Sequence, residues 1–280
     1  MVTLECLKIR TKEKTMNLIQ RFKHGLDVGL RSFGLLQEHK KLLFYLGTPI
    51  ILGIIIELVA LNLSPHFISS TGLFTQGIMV KFWETFGWTK HLGLFLTEMI
   101  KLFVIIFFSV SLTDHVIRIM KHETSSIKNS IHVAFSKLRL IALWALASTL
   151  FFVLVNQIDT IMNTTKETPS YILALIVSLI SRITWSLATI FIIPIITLKT
   201  LSTVKTIRTS IDTTKKCLIE YLGAIAWIVL IWLLGFAPFL LFQFQGKLFQ
   251  TVMYAALALL GCIISTTHSI LKTDLYLKYK

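Results

Sequence analysis

The 280-residue chain is 54% hydrophobic and only 15% charged, with a mean hydropathy of +0.74. Soluble globular chains carry about 25% charged residues, and the apolar residues here run in blocks close to the roughly 20 that a helix needs to cross a bilayer; a soluble enzyme is excluded. Lys and Arg number 28 against 14 Asp and Glu, a net charge of +14, and because the basic residues flank apolar blocks the excess points to anionic lipid headgroups and not to nucleic acid.

Residues 1–15 form a basic extension with little helical periodicity, and Met16 is an alternative start. From Met16 to Lys41 the pattern turns helical: Ile19, Phe22, Leu26, Leu30, Phe33 and Leu36 recur every three or four positions. Arg21, Lys23, Arg31, Lys40 and Lys41 surround this stripe, so the helix is expected in the headgroup plane or packed under the bundle. The first 40 residues lack a signal-peptide pattern, which leaves the first span as an uncleaved targeting signal. Spans are expected at Leu42–Leu63, Leu92–Thr113, Leu138–Ile158, Tyr171–Leu198, Tyr221–Phe242 and Leu248–Leu271. Between the first two, Phe74, Ile78, Phe82 and Phe86 share a helical face with Trp83 and Trp88 nearby. The 72–88 stretch is therefore expected as a helix flat against the outer leaflet or the bundle. Pro49, Pro194 and Pro238 fall inside spans, where neighbouring helices tolerate a kink, and Pro194 is expected to end or bend the fourth.

Orientation follows from counting. The segments before the first span, at 114–139, at 199–219 and after the last span hold 22 Lys and Arg, whereas the opposite side holds four, Lys81, Lys90, Lys166 and Lys247. By the positive-inside rule both termini lie in the cytoplasm. The two internal cytoplasmic segments also resemble one another: residues 127–131 read IKNSI and residues 207–211 read IRTSI. Each opens a basic amphipathic stretch that feeds a span, so the repeating unit is an amphipathic helix followed by two spans, with Met16–Lys41 heading a degenerate first copy. The expected fold is all-α: a polytopic helical membrane protein of six spans with cytoplasmic amphipathic helices, residues 16–280 forming one membrane domain.

No HExxH, GxSxG, GxxxxGK[ST] or GxGxxG occurs. The three cysteines, Cys6, Cys217 and Cys262, form no CxxC pair. The eight histidines lack metal-ligand spacing, and Asp114-His115 and His122-Glu123 read as polar residues at a helix end. No catalytic, cofactor or metal site is expected. Four charges stand within spans: Glu57, Glu98, Lys101 and Arg182. A charge at the bilayer centre costs about 2.5–3.5 kcal/mol on insertion scales and faces protein or water. Two acids and two bases can therefore pair to fix helix packing, or line a polar site for an ion, a proton or an anionic headgroup. Glu98 and Lys101 are i,i+3 neighbours able to neutralise each other. On the cytoplasmic segments Lys128, Ser130, Arg208, Ser210, Lys215 and Lys216 are candidate headgroup contacts.

The stretch 185–220, WSLATIFIIPIITLKTLSTVKTIRTSIDTTKKCLIE, resembles the signature of a bacterial multi-pass inner-membrane family defined as a domain of unknown function. The resemblance is carried by Trp185, Thr189, Phe191 and Pro194, by the basic-x-Ser element from Arg208 to Ser210, and by Lys215, Lys216 and Glu220. With the N-terminal basic helix included, it extends over residues 16–280. Lys199 stands where members commonly carry an acid, and Leu218-Ile219 replaces their Trp-Gly pair. The resemblance implies an integral membrane protein and no particular activity. The expected function is a non-enzymatic protein of the bacterial inner membrane that contacts anionic lipid or a membrane-protein partner; the alternative is a small permease using Glu57, Glu98, Lys101 and Arg182.

Overall fold

In a computed structural model of the chain, described for residues 17–62, 89–164, 169–241 and 247–279, every regular element among the described residues is a helix. In order these are α1 (Leu18–Glu38), a 3-10 turn (Lys40–Leu43), α2 (Phe44–Asn62), α3 (Thr89–Met120), α4 (Ile127–Ser136), α5 (Leu138–Thr164), α6 (Pro169–Thr189), α7 (Ile192–Leu198), α8 (Thr203–Leu241) and α9 (Lys247–Tyr279). The chain divides into two compact units, one of residues 1–43 with 212–280 and the other of residues 44–211, where the sequence reading treats 16–280 as one domain. The basic extension and the aromatic 72–88 stretch lie outside the described residues.

Among the described residues four helical segments are long and apolar enough to cross a membrane: Phe95–Met120, Leu138–Val155, Leu175–Leu198 and Thr203–Gly235. The expected first and sixth spans fall on helices α2 and α9, which are not among these four. Several hydroxyls inside these apolar helices are satisfied by the carbonyl one turn back. Ser111 donates to Phe107 at 3.1 Å, Thr149 to Ala145 at 2.8 Å and Thr267 to Ile263 at 2.9 Å, so none needs water.

In the first unit α1 begins at a capping box. The Asn17 side chain accepts from the Gln20 N–H at 2.9 Å, while the Gln20 side chain accepts from the Asn17 N–H at 3.1 Å. Its buried face consists of Gly25, Val28, Gly29, Ser32 and Leu36, which shares only Leu36 with the expected stripe. Ile19, Phe22 and Leu30 of that stripe are exposed, about a quarter-turn round the helix. The reason is close approach. A side chain at Gly25 would run into the Glu220 carbonyl of α8, and one at Gly223 into the Phe22 carbonyl of α1, so only glycine lets the two backbones meet. α8 has a non-helical residue at Cys217 (φ −116°, ψ 17°), at the change from its basic amphipathic segment to its apolar one.

In the second unit a core of Phe107, Val110, Ala134, Ile141, Trp144, Ile192 and Ile196 joins α3, α4, α5 and α7. Phe151 stacks on Trp185 with ring centroids 4.4 Å apart. The expected fourth span is two helices, α6 and α7, broken at Ile190-Phe191. A proline ring clashes with the carbonyl four residues back; for Pro194 that is Ile190, and the break sits there. Pro194 itself falls in the first turn of α7, where a missing N–H costs no helical bond. α3 closes in a Schellman turn: His122 takes the left-handed conformation (φ 56°), and the Glu123 N–H reaches the Arg118 carbonyl at 2.9 Å.

Candidate functional site

Of the four intramembrane charges, Glu98, Lys101 and Arg182 have described side chains. Lys101 pairs with Glu98 at 3.3 Å, as i,i+3 spacing on α3 allows, and the Glu98 side chain is 55% exposed. Arg182, on α6, lies 3.4 Å from Ser178 Oγ one turn earlier on the same helix. The Glu57 side chain lies outside the described residues.

The headgroup candidates separate by residue type. Lys128, Arg208, Lys215 and Lys216 are exposed, whereas Ser130 and Ser210 are fully buried. Ser210 Oγ accepts the Phe191 N–H at 3.3 Å, satisfying a backbone donor that the α6–α7 break leaves free. The two serines, expected as headgroup contacts, are therefore buried, while the flanking cations are exposed. The shared pentapeptide has one geometry in both places: cation out, serine in.

The best-built polar site among the described residues is one that sequence patterning does not reveal. Glu220, only 2% exposed, receives Arg21 Nε at 2.6 Å on one oxygen and Arg21 Nη2 at 2.8 Å on the other. This is the paired fork geometry that makes arginine–carboxylate bonds strong. Tyr279 O–H donates to the same carboxylate at 2.9 Å, and Arg21 Nη2 also reaches the Lys216 carbonyl. The carboxylate thus joins α1, α8 and α9, beside the Gly25–Gly223 crossing. It holds the Arg21 guanidinium above its ordinary pKa, chiefly through the hydrogen bond. Nearby, Lys278 Nζ stands 2.6 Å from His24 Nε2, and Arg31 lies 3.5 Å from Asp274. Partial burial, then the positive charges of Lys278 and Arg31, lower the His24 pKa, and the neutral ring accepts a hydrogen bond from the Lys278 ammonium at Nε2. The only sequence sign of the site was Glu220, present in the family signature without a role.

Each unit also contains a tyrosine–histidine pair. In the second unit fully buried Tyr45 meets His115 Nδ1 at 3.0 Å, and His115 Nε2 lies 3.3 Å from Ser125 Oγ. Asp114, next to His115, pairs with Arg118 at 2.9 Å. In the first unit Tyr221 meets His268 Nε2 at 2.8 Å. Both pairs bind the start of one apolar segment to a later turn of the next; of the polar residues expected at a helix end, Asp114 and His115 are buried packing contacts, whereas His122-Glu123 forms the exposed end of α3.

Among the described residues no group of three or more His, Cys, Asp or Glu side chains could hold a metal ion, and no nucleophile stands beside a base in an open cleft. The arrangement can tie helices together and present cations. No curated protein and no solved structure matches the chain. The model of a family of unknown function (DUF6159) matches residues 89–276, well over half of the sequence and everything from α3 to the last turns of α9, and the chain belongs to that family.

Proposed function

We propose that the chain is a non-enzymatic, six-span protein of a bacterial inner membrane, with both termini and the amphipathic helices in the cytoplasm. Its basic helices contact anionic lipid headgroups and organise lipid or a partner membrane protein, without cofactor or nucleic acid. The observation that carries this reading is the common geometry of IKNSI and IRTSI, in which the serine is buried and Lys128 or Arg208 is exposed. Cations held outward beside an apolar span are placed to meet phosphate. α1 supports it, with Leu18, Ile19, Phe22 and Leu30 exposed on a flank suited to the acyl–headgroup boundary.

The test is lipid analysis of the protein purified in mild detergent. Wild type is expected to retain anionic lipid above its share of the membrane extract. Replacing Lys128, Arg208, Lys215 and Lys216 together by Gln should remove most of that enrichment; unchanged enrichment overturns the reading. Reporter fusions near Asn129 and Ser210 should report cytoplasm and fusions near Gln76 and Lys166 the exterior, and an exterior signal from either terminus overturns the six-span topology. The permease alternative draws on the Glu98–Lys101 pair within an apolar helix. Solute or proton flux in proteoliposomes, lost in Arg182→Met without loss of folding, would favour it.

A further inference from the structure

Ala142, Leu143 and Leu146 are exposed along one side of α5, and Ile100 of α3 is 46% exposed. Between these helices runs a cleft of about 360 Å³, lined also by Phe103 and by Arg139. Alanine at position 142 gives it room. The volume falls within the roughly 300–1,000 Å³ of small-molecule sites, yet Arg139 supplies the one charged side chain of the lining. From Arg139 to Leu146 the helix rises about 10 Å, so the cation marks one end and the hydrocarbon lining extends from it. Arg139 is exposed and has no ion pair or hydrogen-bond partner among the described residues. No acidic residue occurs between Glu123 and Asp159, whereas Lys128, Lys137 and Arg139 all do.

A cation at one end of an open apolar groove, on the exposed side of a helix long enough to cross a membrane, complements one kind of molecule: an anion joined to a hydrocarbon tail. We propose that this cleft binds an acyl chain of a single anionic phospholipid, with the lipid phosphate held by Arg139. The guanidinium fork matches phosphate oxygens two at a time, and Ile100, Phe103, Leu143 and Leu146 pack along the chain. The proposal rests on the lipid-contacting reading above and narrows it to one lipid in one groove.

Native mass spectrometry of the full chain in detergent tests it, with phosphatidylglycerol or phosphatidylcholine added at matched concentrations. Wild type should take up one phosphatidylglycerol about tenfold more tightly than phosphatidylcholine, the discrimination expected of a charge-assisted contact. Arg139→Gln should abolish the preference while leaving tail-driven uptake. Ala142→Phe, which fills the groove, should weaken the first adduct of both lipids. Both positions are exposed, so the variants should melt with wild type in lipid-free detergent. A preference that survives Arg139→Gln, or a first adduct untouched by Ala142→Phe, overturns the proposal. So does a dimer in lipid-free detergent that Ala142→Phe dissociates, because a second copy would then own the groove. If both groove variants behave as wild type while the four-cation variant loses its lipid enrichment, the groove fails and the broader reading stands. A wild type without preference or enrichment sinks both.

Discussion

Arg21 and Glu220 make the same ion pair but stand in unequal surroundings: the arginine side chain is 27% exposed and the carboxylate 2%. Removing either partner should therefore cost different amounts. Arg21→Ala strands a buried carboxylate with Tyr279 as its remaining donor and should destabilise by about 3 kcal/mol, the lower end for a broken buried pair. Glu220→Gln leaves an arginine that can turn to water and should cost about 1–2 kcal/mol. Chemical denaturation in mild detergent would show the order, and equal losses would mean the carboxylate is better solvated than its geometry indicates. His24 gives a pH signature. Its pKa is lower in the folded chain than its ordinary 6.5, so the unfolded chain binds the extra proton first. Stability tied to this residue is complete above about pH 6.5 and is lost as pH falls below that value, at no more than about 1.4 kcal/mol per pH unit. His24→Gln should flatten the melting-temperature profile between pH 7.5 and 5.5; an unaltered profile would show that other groups govern it. Lys278, Arg31, Glu220 and Asp27 all bear on His24, and the net effect of the two cations prevails.

At the scale of the element, α1 shows which patterns reveal packing and which do not. Its large apolar residues have helical spacing, so a helix was legible there, but the packed face is carried by Gly25, Val28, Gly29 and Ser32. Small residues contribute little hydrophobic signal while allowing the closest approach between backbones. Gly25→Leu should consequently separate α1 from α8 and expose Glu220, whereas Gly34→Leu, where nothing lies near an added side chain, should be tolerated. Limited proteolysis at residues 39–43 would distinguish them, and equal resistance would refute a tight crossing. Pro194 was legible as a break because ring sterics are local. The bond from the Phe191 N–H to Ser210, 19 residues on, was not, since nothing in either residue's neighbourhood names the other.

For the whole molecule, apolar length was legible because crossing a membrane demands it of contiguous residues. The Glu98–Lys101 pair was legible for a similar reason, both partners lying on one helix. The ties that cross the chain were hidden: Tyr45 with His115, Tyr221 with His268 and Arg21 with Glu220 have no common spacing. Glu220 illustrates the limit, quoted within a signature yet silent about its partner. The tie from Arg21 to Glu220 also has a consequence in time. Its partners are separated by 199 positions, and ribosomes add roughly 5–20 residues per second. The N-terminal helix therefore exists for about 10–40 seconds before its carboxylate is made, and longer before Tyr279 follows. Throughout that interval Arg21 and the glycine face have no α8 to receive them, and α1, though made early, is among the last to be docked. A chain stalled before Glu220 should leave α1 open to protease, and one released after Tyr279 should protect it.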